Sequence, residues 1–110
     1  MGHHELFLIQ GTLDLMVLGI LAGGRAHGYG IAERAREATT GDLVIRDGAL
    51  YQALHRLERQ GLVEAEWGVS ENNRRARYYS LTPKGRRRVR EQADRWQRYA
   101  RALGAILKRV

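Results

Sequence analysis

Gln52 and Arg56 stand one helical turn apart, with His55 beside them, in a stretch whose leucines 50, 54 and 57 recur at helical spacing. A carboxamide donates and accepts at once, which matches one edge of adenine. A guanidinium donates twice, which matches guanine or a phosphate. Further along, Asn73, Arg74, Arg75 and Arg77 crowd into five positions. Paired arginines at an exposed turn have little to do in folding and suit the negative potential of a minor groove or the adjacent backbone. Gly48 and Ala49 fall where a helix N-terminus would offer backbone N–H groups to a phosphate. Tyr51 fits either packing or a phosphate contact. Arg59 reads as a solvated surface group, and His55 fits a surface residue as well as a base contact.

Catalytic chemistry finds no foothold. No Ser/His/Asp set, paired catalytic carboxylates or phosphate loop is visible. The four histidines, at 3, 4, 27 and 55, lack metal-ligand spacing, and there is no cysteine. No enzyme activity, metal or cofactor is expected. At 110 residues the chain makes one small domain, a size that favours surface contact over a deep enclosed pocket. Nineteen Lys+Arg against twelve Asp+Glu leave a net charge of +7, which points to a polyanionic partner. The excess is uneven. Residues 84–110 carry ten basic and two acidic groups, while residues 1–45 carry three and five.

The elements that would position these groups follow from periodicity. Leu13 to Ala22 is apolar on nearly every side, with Thr12 as the expected N-cap and Gly23-Gly24 as the stop. Such a helix needs cover on every side, and one small domain covers only part of it. Phe7, Leu8 and Ile9 add to that surface. Asp14 and the stretch's length of about ten residues argue against a membrane span, and Met1 to Glu5 lacks the basic start of a signal peptide, so a cytoplasmic location without membrane contact is expected. A second helix follows Gly28-Tyr29-Gly30, with Ile31, Ala35 and Ala38 at helical spacing. Asp47 is the expected N-cap of a third, ending at Gly61. Leu62 to Trp67 alternates, with Val63, Ala65 and Trp67 on one face. Ala76 to Leu81 is strand-like, and the two make a hairpin joined by a polar loop from Gly68 to Arg75. Thr82-Pro83 then opens a last helix. Its apolar positions, Val89, Ala93, Trp96, Ala100, Leu103, Leu107 and Val110, step by four and three, a heptad seam, with Tyr99 and Ile106 widening it. At 1.5 Å per residue this helix is about 40 Å long and outreaches the rest of the domain. Its distal seam therefore predicts another chain as cover, together with Leu13 and Val17 of the first helix.

Helix, helix, helix, hairpin, helix is the order of a winged helix-turn-helix, with the third helix as the reading element. The fold class is mainly α with a small β-hairpin: a winged helix-turn-helix over residues 1–82, and a long C-terminal dimerisation helix over residues 83–110.

The run Gly48-Ala49-Leu50-Tyr51-Gln52-Ala53-Leu54-His55-Arg56-Leu57-Glu58, then Gly61-Leu62-Val63, Glu66-Trp67, Arg74-Arg75-Ala76-Arg77-Tyr78-Tyr79-Ser80-Leu81-Thr82 and Gly85-Arg86, resembles the signature of PadR-type transcriptional regulators, as does His27-Gly28-Tyr29-Gly30-Ile31. The single tail helix resembles their compact subgroup. Gln10-Gly11-Thr12-Leu13-Asp14-Leu15 with Ser70 to Ala76 resembles an acidobacterial branch often encoded beside permease genes. The resemblance implies a homodimeric repressor on a two-fold symmetric double-stranded DNA operator, with Tyr29, Tyr51 and the third helix's N-terminus at phosphates. It also implies an aromatic small-molecule effector between subunits, near Trp96 and Tyr99, although both have a packing reason to sit in the seam. Ala49 replaces the family's usual serine or threonine, and Gln52 its usual proline. Both changes bear on which operator is read. The alternative function is a non-specific architectural DNA- or RNA-binding protein.

Overall fold

The computed structural model describes residues 11–109; the expectations for Phe7, Leu8, Ile9 and Val110 lie outside them. The elements are α1 (Thr12–Leu21), β1 (Ala26–His27), α2 (Gly28–Ala38), α3 (Asp47–Arg59), β2 (Val63–Val69), β3 (Arg75–Leu81) and α4 (Pro83–Leu107). The three strands form one antiparallel sheet in the order β1-β3-β2.

The core gathers where amphipathic faces meet. Val17, Leu18 and Leu21 of α1, Ile31 and Ala35 of α2, and Leu50, Ala53, Leu54 and Leu57 of α3 are buried, with Leu62, Val63, Tyr79, Leu81 and Val89 closing the far side. Leu50, Leu54 and Leu57 thus form the expected stripe. Ala38, placed in the stripe of α2 by its spacing, is exposed because the helix ends there, beyond the core.

Several boundaries differ from the sequence reading. Gly11, in a left-handed conformation, holds the N-cap position of α1 in place of Thr12. Arg46 holds that of α3 in place of Asp47. The chain enters α3 one residue early, so Asp47 lies inside the first turn, where its charge still favours the helix dipole. The hairpin strands run further out than Trp67 and Ala76. Only Ser70 to Arg74 turn the chain, with Ser70 N–H on Arg74 O at 2.8 Å and Asn73 N–H on Ser70 O at 2.9 Å. Asn73 takes a positive φ of 59°, the left-handed position that closes a three-residue hairpin loop. β1 is an additional strand, pairing Ala26 with Tyr79 and His27 with Tyr78.

Two glycines fix the end of α3 and the start of α4. Gly61 (φ 75°) closes α3, with its own N–H on Glu58 O and the Leu62 N–H on Leu57 O, a left-handed C-terminal lock. Gly85 packs so closely that a Cβ there would stand 2.1 Å from Leu62 O. Thr82 caps α4 by accepting from Gly85 N–H at 3.0 Å, and donates to Gly61 O at 2.6 Å. Beyond Ala93, every described residue of α4 is exposed. Among the described residues, no helix is long and apolar enough to cross a membrane.

Candidate nucleic-acid interface

Burial of its leucine stripe turns the opposite face of α3 outward. Gly48, Gln52, His55 and Arg59 are exposed there, Tyr51 is half-exposed, and Ala49 is half-buried toward the body. Arg59, set aside as a surface group, shares this face.

Across from it stands the wing. The start of α2, the outer side of α3 and the hairpin enclose an open cleft of about 1190 Å³, lined by Tyr29, Tyr51, His55, Trp67, Arg74, Arg75 and Arg77 among others. The structure therefore brings together most of the sequence-predicted contacts. Tyr29 is 72% exposed at the cleft mouth. Tyr51 leans on α2, its hydroxyl 2.8 Å from where a Cβ of Gly28 would stand. It can pack and still present its phenol edge to the cleft. Arg74 and Arg75 are exposed on the wing. Asn73 has a backbone reason for its place, the left-handed turn position, which asparagine tolerates.

Two arginines are committed elsewhere. Arg56 donates to the Asp14 carboxylate on α1, and Arg77 donates through Nη2 to Glu58 Oε2 at 2.9 Å. The Asp14 hydrogen bond and charge raise the Arg56 pKa above its ordinary value. Arg56, expected at guanine or a phosphate, lies on the flank of α3 that faces α1 and ties the two helices through Asp14. Arg77 keeps its place in the cleft wall but serves first to fasten β3 to α3.

The wing is also braced where it meets the start of α2, which spacing did not reveal. The Gly30 N–H donates to His27 Nδ1 at 3.0 Å, capping α2. With Nδ1 accepting, the ring proton sits on Nε2, which donates to Glu71 Oε1 at 3.3 Å. The His27 ring lies 5.1 Å from that of Tyr78, and Arg25 covers Tyr78 at 4.3 Å while pairing with Glu66. The Tyr78 hydroxyl donates to Val69 O. The Glu71 carboxyl is held below its ordinary value, first by its own backbone N–H and then by His27. Burial pushes the Tyr79 phenol up. No local pattern in the sequence announces Arg25 or His27 as supports.

The tail residues divide. Val17 and Val89, expected against a partner, are buried by their own chain, because α1 and the root of α4 pack on each other and on the body. Leu13 and Ala93 are half-buried. Trp96, Tyr99, Leu103, Ile106 and Leu107 are exposed, with Ala100 among them. Trp96 and Tyr99 form a tilted ring pair at 5.6 Å.

The sequence model described as the Transcriptional regulator PadR-like family matches residues 17–91. The chain belongs to this PadR-like family. A transcriptional regulator from Clostridium thermocellum is similar in structure to this PadR-like chain, with a TM-score of 0.76 and 29% identity over 87% of this chain and 90% of its own. A PadR family transcription regulator from Clostridium difficile is similar too, with a TM-score of 0.76 and 26% identity over 88% of this chain and 99% of its own. The transcriptional regulator YqjI of Escherichia coli is 26% identical over 97% of this chain and 52% of its own length, so the chain spans about half of that relative. The PadR-like chain is a DNA-binding transcriptional regulator, in a family of regulators rather than enzymes.

Proposed function

We propose that the chain acts in the cytoplasm as a homodimeric repressor of the compact PadR type. Two winged heads (residues 1–82) are joined through their tails (residues 83–110) and held on a two-fold symmetric operator. The observation that carries this reading is the uncovered seam of α4, where Trp96, Tyr99, Leu103, Ile106 and Leu107 are 38 to 66% exposed. Fully burying one such side chain is worth roughly 1.5–3 kcal/mol, and a second copy related by two-fold symmetry presents the same stripe in return. Leu13, Ala93 and Ala100 border that surface. Tyr29, Tyr51, Gly48 and Ala49 meet phosphates, Gln52 and His55 face base edges, and Asn73, Arg74 and Arg75 carry the wing onto the duplex.

A hollow of about 520 Å³ along Trp96, Tyr99, Ala100, Leu103, Gly104 and Leu107 supports a flat aromatic effector held between the two tails. Its binding changes the spacing of the heads and releases the operator.

Selection of bound sites from a random duplex library, using the purified protein, tests the reading. A two-fold symmetric consensus is the expected result, and fusing that consensus to a promoter should lower reporter output when the protein is present. Equal binding to selected and random duplex would favour the architectural alternative.

A further inference from the structure

We infer that Trp67 and Arg75 form a preassembled platform for the sugar–phosphate backbone of the DNA strand that passes through the cleft between α3 and the wing. The inference rests on the DNA-binding reading above and adds to it a binding residue, Trp67, that the base-reading and wing-tip contacts do not include.

The sheet face that holds Val63, Ala65, Tyr79 and Leu81 against the body continues outward through Trp67, Val69, Arg75 and Arg77. The core ends before the strands do. Trp67 is left 59% exposed and Val69 64% exposed, so folding gives no reason for a large indole at this position. Its ring is not idle. The Arg75 guanidinium lies over it at 4.4 Å, a cation–π arrangement that orders a long and otherwise floppy side chain in advance. A guanidinium held over a ring by its charge still has N–H groups to donate to an incoming acceptor.

The chemistry of the surroundings selects the occupant. Arg34, Arg74, Arg75 and Arg77 line the same cleft, against Glu33 and Glu71. Glu33 pairs with Arg36, Arg77 with Glu58, and Arg34 donates to the backbone carbonyls of Gly24 and Arg25, so Arg74 and Arg75 are the guanidiniums placed to meet a ligand, with Glu71 at the wing tip. The result is an open, positively charged trough with an aromatic wall. A DNA backbone offers the complement, with phosphate oxygens for Arg75 and the indole N–H and an apolar deoxyribose face for the ring. Such contacts carry no base information. They fix the distance between the helix in one groove and the wing in the next.

The chain has two tryptophans, so Trp96→Phe leaves Trp67 as the only indole. In that variant, saturating labelled duplex should shift Trp67 emission and lower its quenching by acrylamide, with binding itself followed by anisotropy of the duplex. Fluorotryptophan in the unsubstituted chain, read by fluorine NMR with the two resonances assigned through Trp96→Phe, gives the same answer: the Trp67 resonance moves with duplex and the Trp96 resonance holds. Trp67→Ala should weaken binding roughly tenfold, on selected and random duplex alike, a loss comparable to one charged hydrogen bond, and Trp67→Phe should recover most of it. Duplex binding that leaves Trp67 emission, quenching and resonance unmoved overturns the platform while leaving the DNA reading intact. An unsubstituted chain that binds no duplex at all overturns the DNA reading, and the platform with it.

Discussion

Arg56 reaches across to Asp14, with Nη2 2.7 Å from Oδ1 and Nε 3.3 Å from Oδ2. The reading helix is thereby tied to the first helix by a two-point grip. Arg56→Ala should lower the thermal unfolding midpoint and change duplex affinity little. Gln52→Ala should do the reverse, with an unchanged midpoint and a loss of about 1–3 kcal/mol on the selected operator only. Melting curves and duplex titrations of the two variants separate the roles. A selective loss of operator binding in Arg56→Ala would return that residue to the bases.

Arg74 and Arg75 stand exposed on the wing. Replacing both with alanine should weaken binding to every duplex and flatten its salt dependence, because each phosphate contact adds roughly −0.9 to the log–log slope. Affinities measured across a salt series check this. An unaltered slope removes the wing from the interface.

Leu103 is 41% exposed within its own chain, so a charge there leaves the single-chain core intact. Leu103→Asp should give a folded monomer, seen as halved mass by light scattering with an unchanged circular dichroism spectrum. A persistent dimer would mean that the copies meet elsewhere.

Glu71 titrates below its ordinary value. A carboxyl lowered by folding stabilises the folded state above its unfolded titration range and loses that contribution as pH falls through the folded value. The contribution of Glu71 to the link between the wing tip and His27 should therefore be present at neutral pH and be lost only as pH falls below the ordinary glutamate range. An NMR titration of the Glu71 carboxyl should show a midpoint below that of an ordinary glutamate. His27→Ala should raise it only part of the way back, because the Glu71 backbone N–H is the larger cause.

Much of this was legible from spacing. Leu50, Leu54 and Leu57 announce α3, and Thr82-Pro83 marks the start of α4, because burial and capping leave local periodic traces. The stepped seam of α4 likewise foretold a surface that its own chain does not cover. What stayed hidden depends on approach through space. β1 is two residues long and has no alternation to read. His27 caps α2 although histidine is not among the usual capping residues. Arg56 and Asp14 are 42 positions apart, and Arg77 and Glu58 are 19 apart, so an arginine that looks ready for DNA is already engaged once the helices pack. Trp67 was placed on the correct face, but nothing in its neighbours tells where the core stops.

The Thr82 hydroxyl joins Gly61 O to Gly85 N–H, and Gly85 rests directly on the Leu62 backbone. The tail is thus welded to the trailing end of the reading helix with no slack joint between. In the proposed pair, torque at the tails reaches both heads undiminished, and the two half-sites should tolerate neither an added nor a deleted base pair between them.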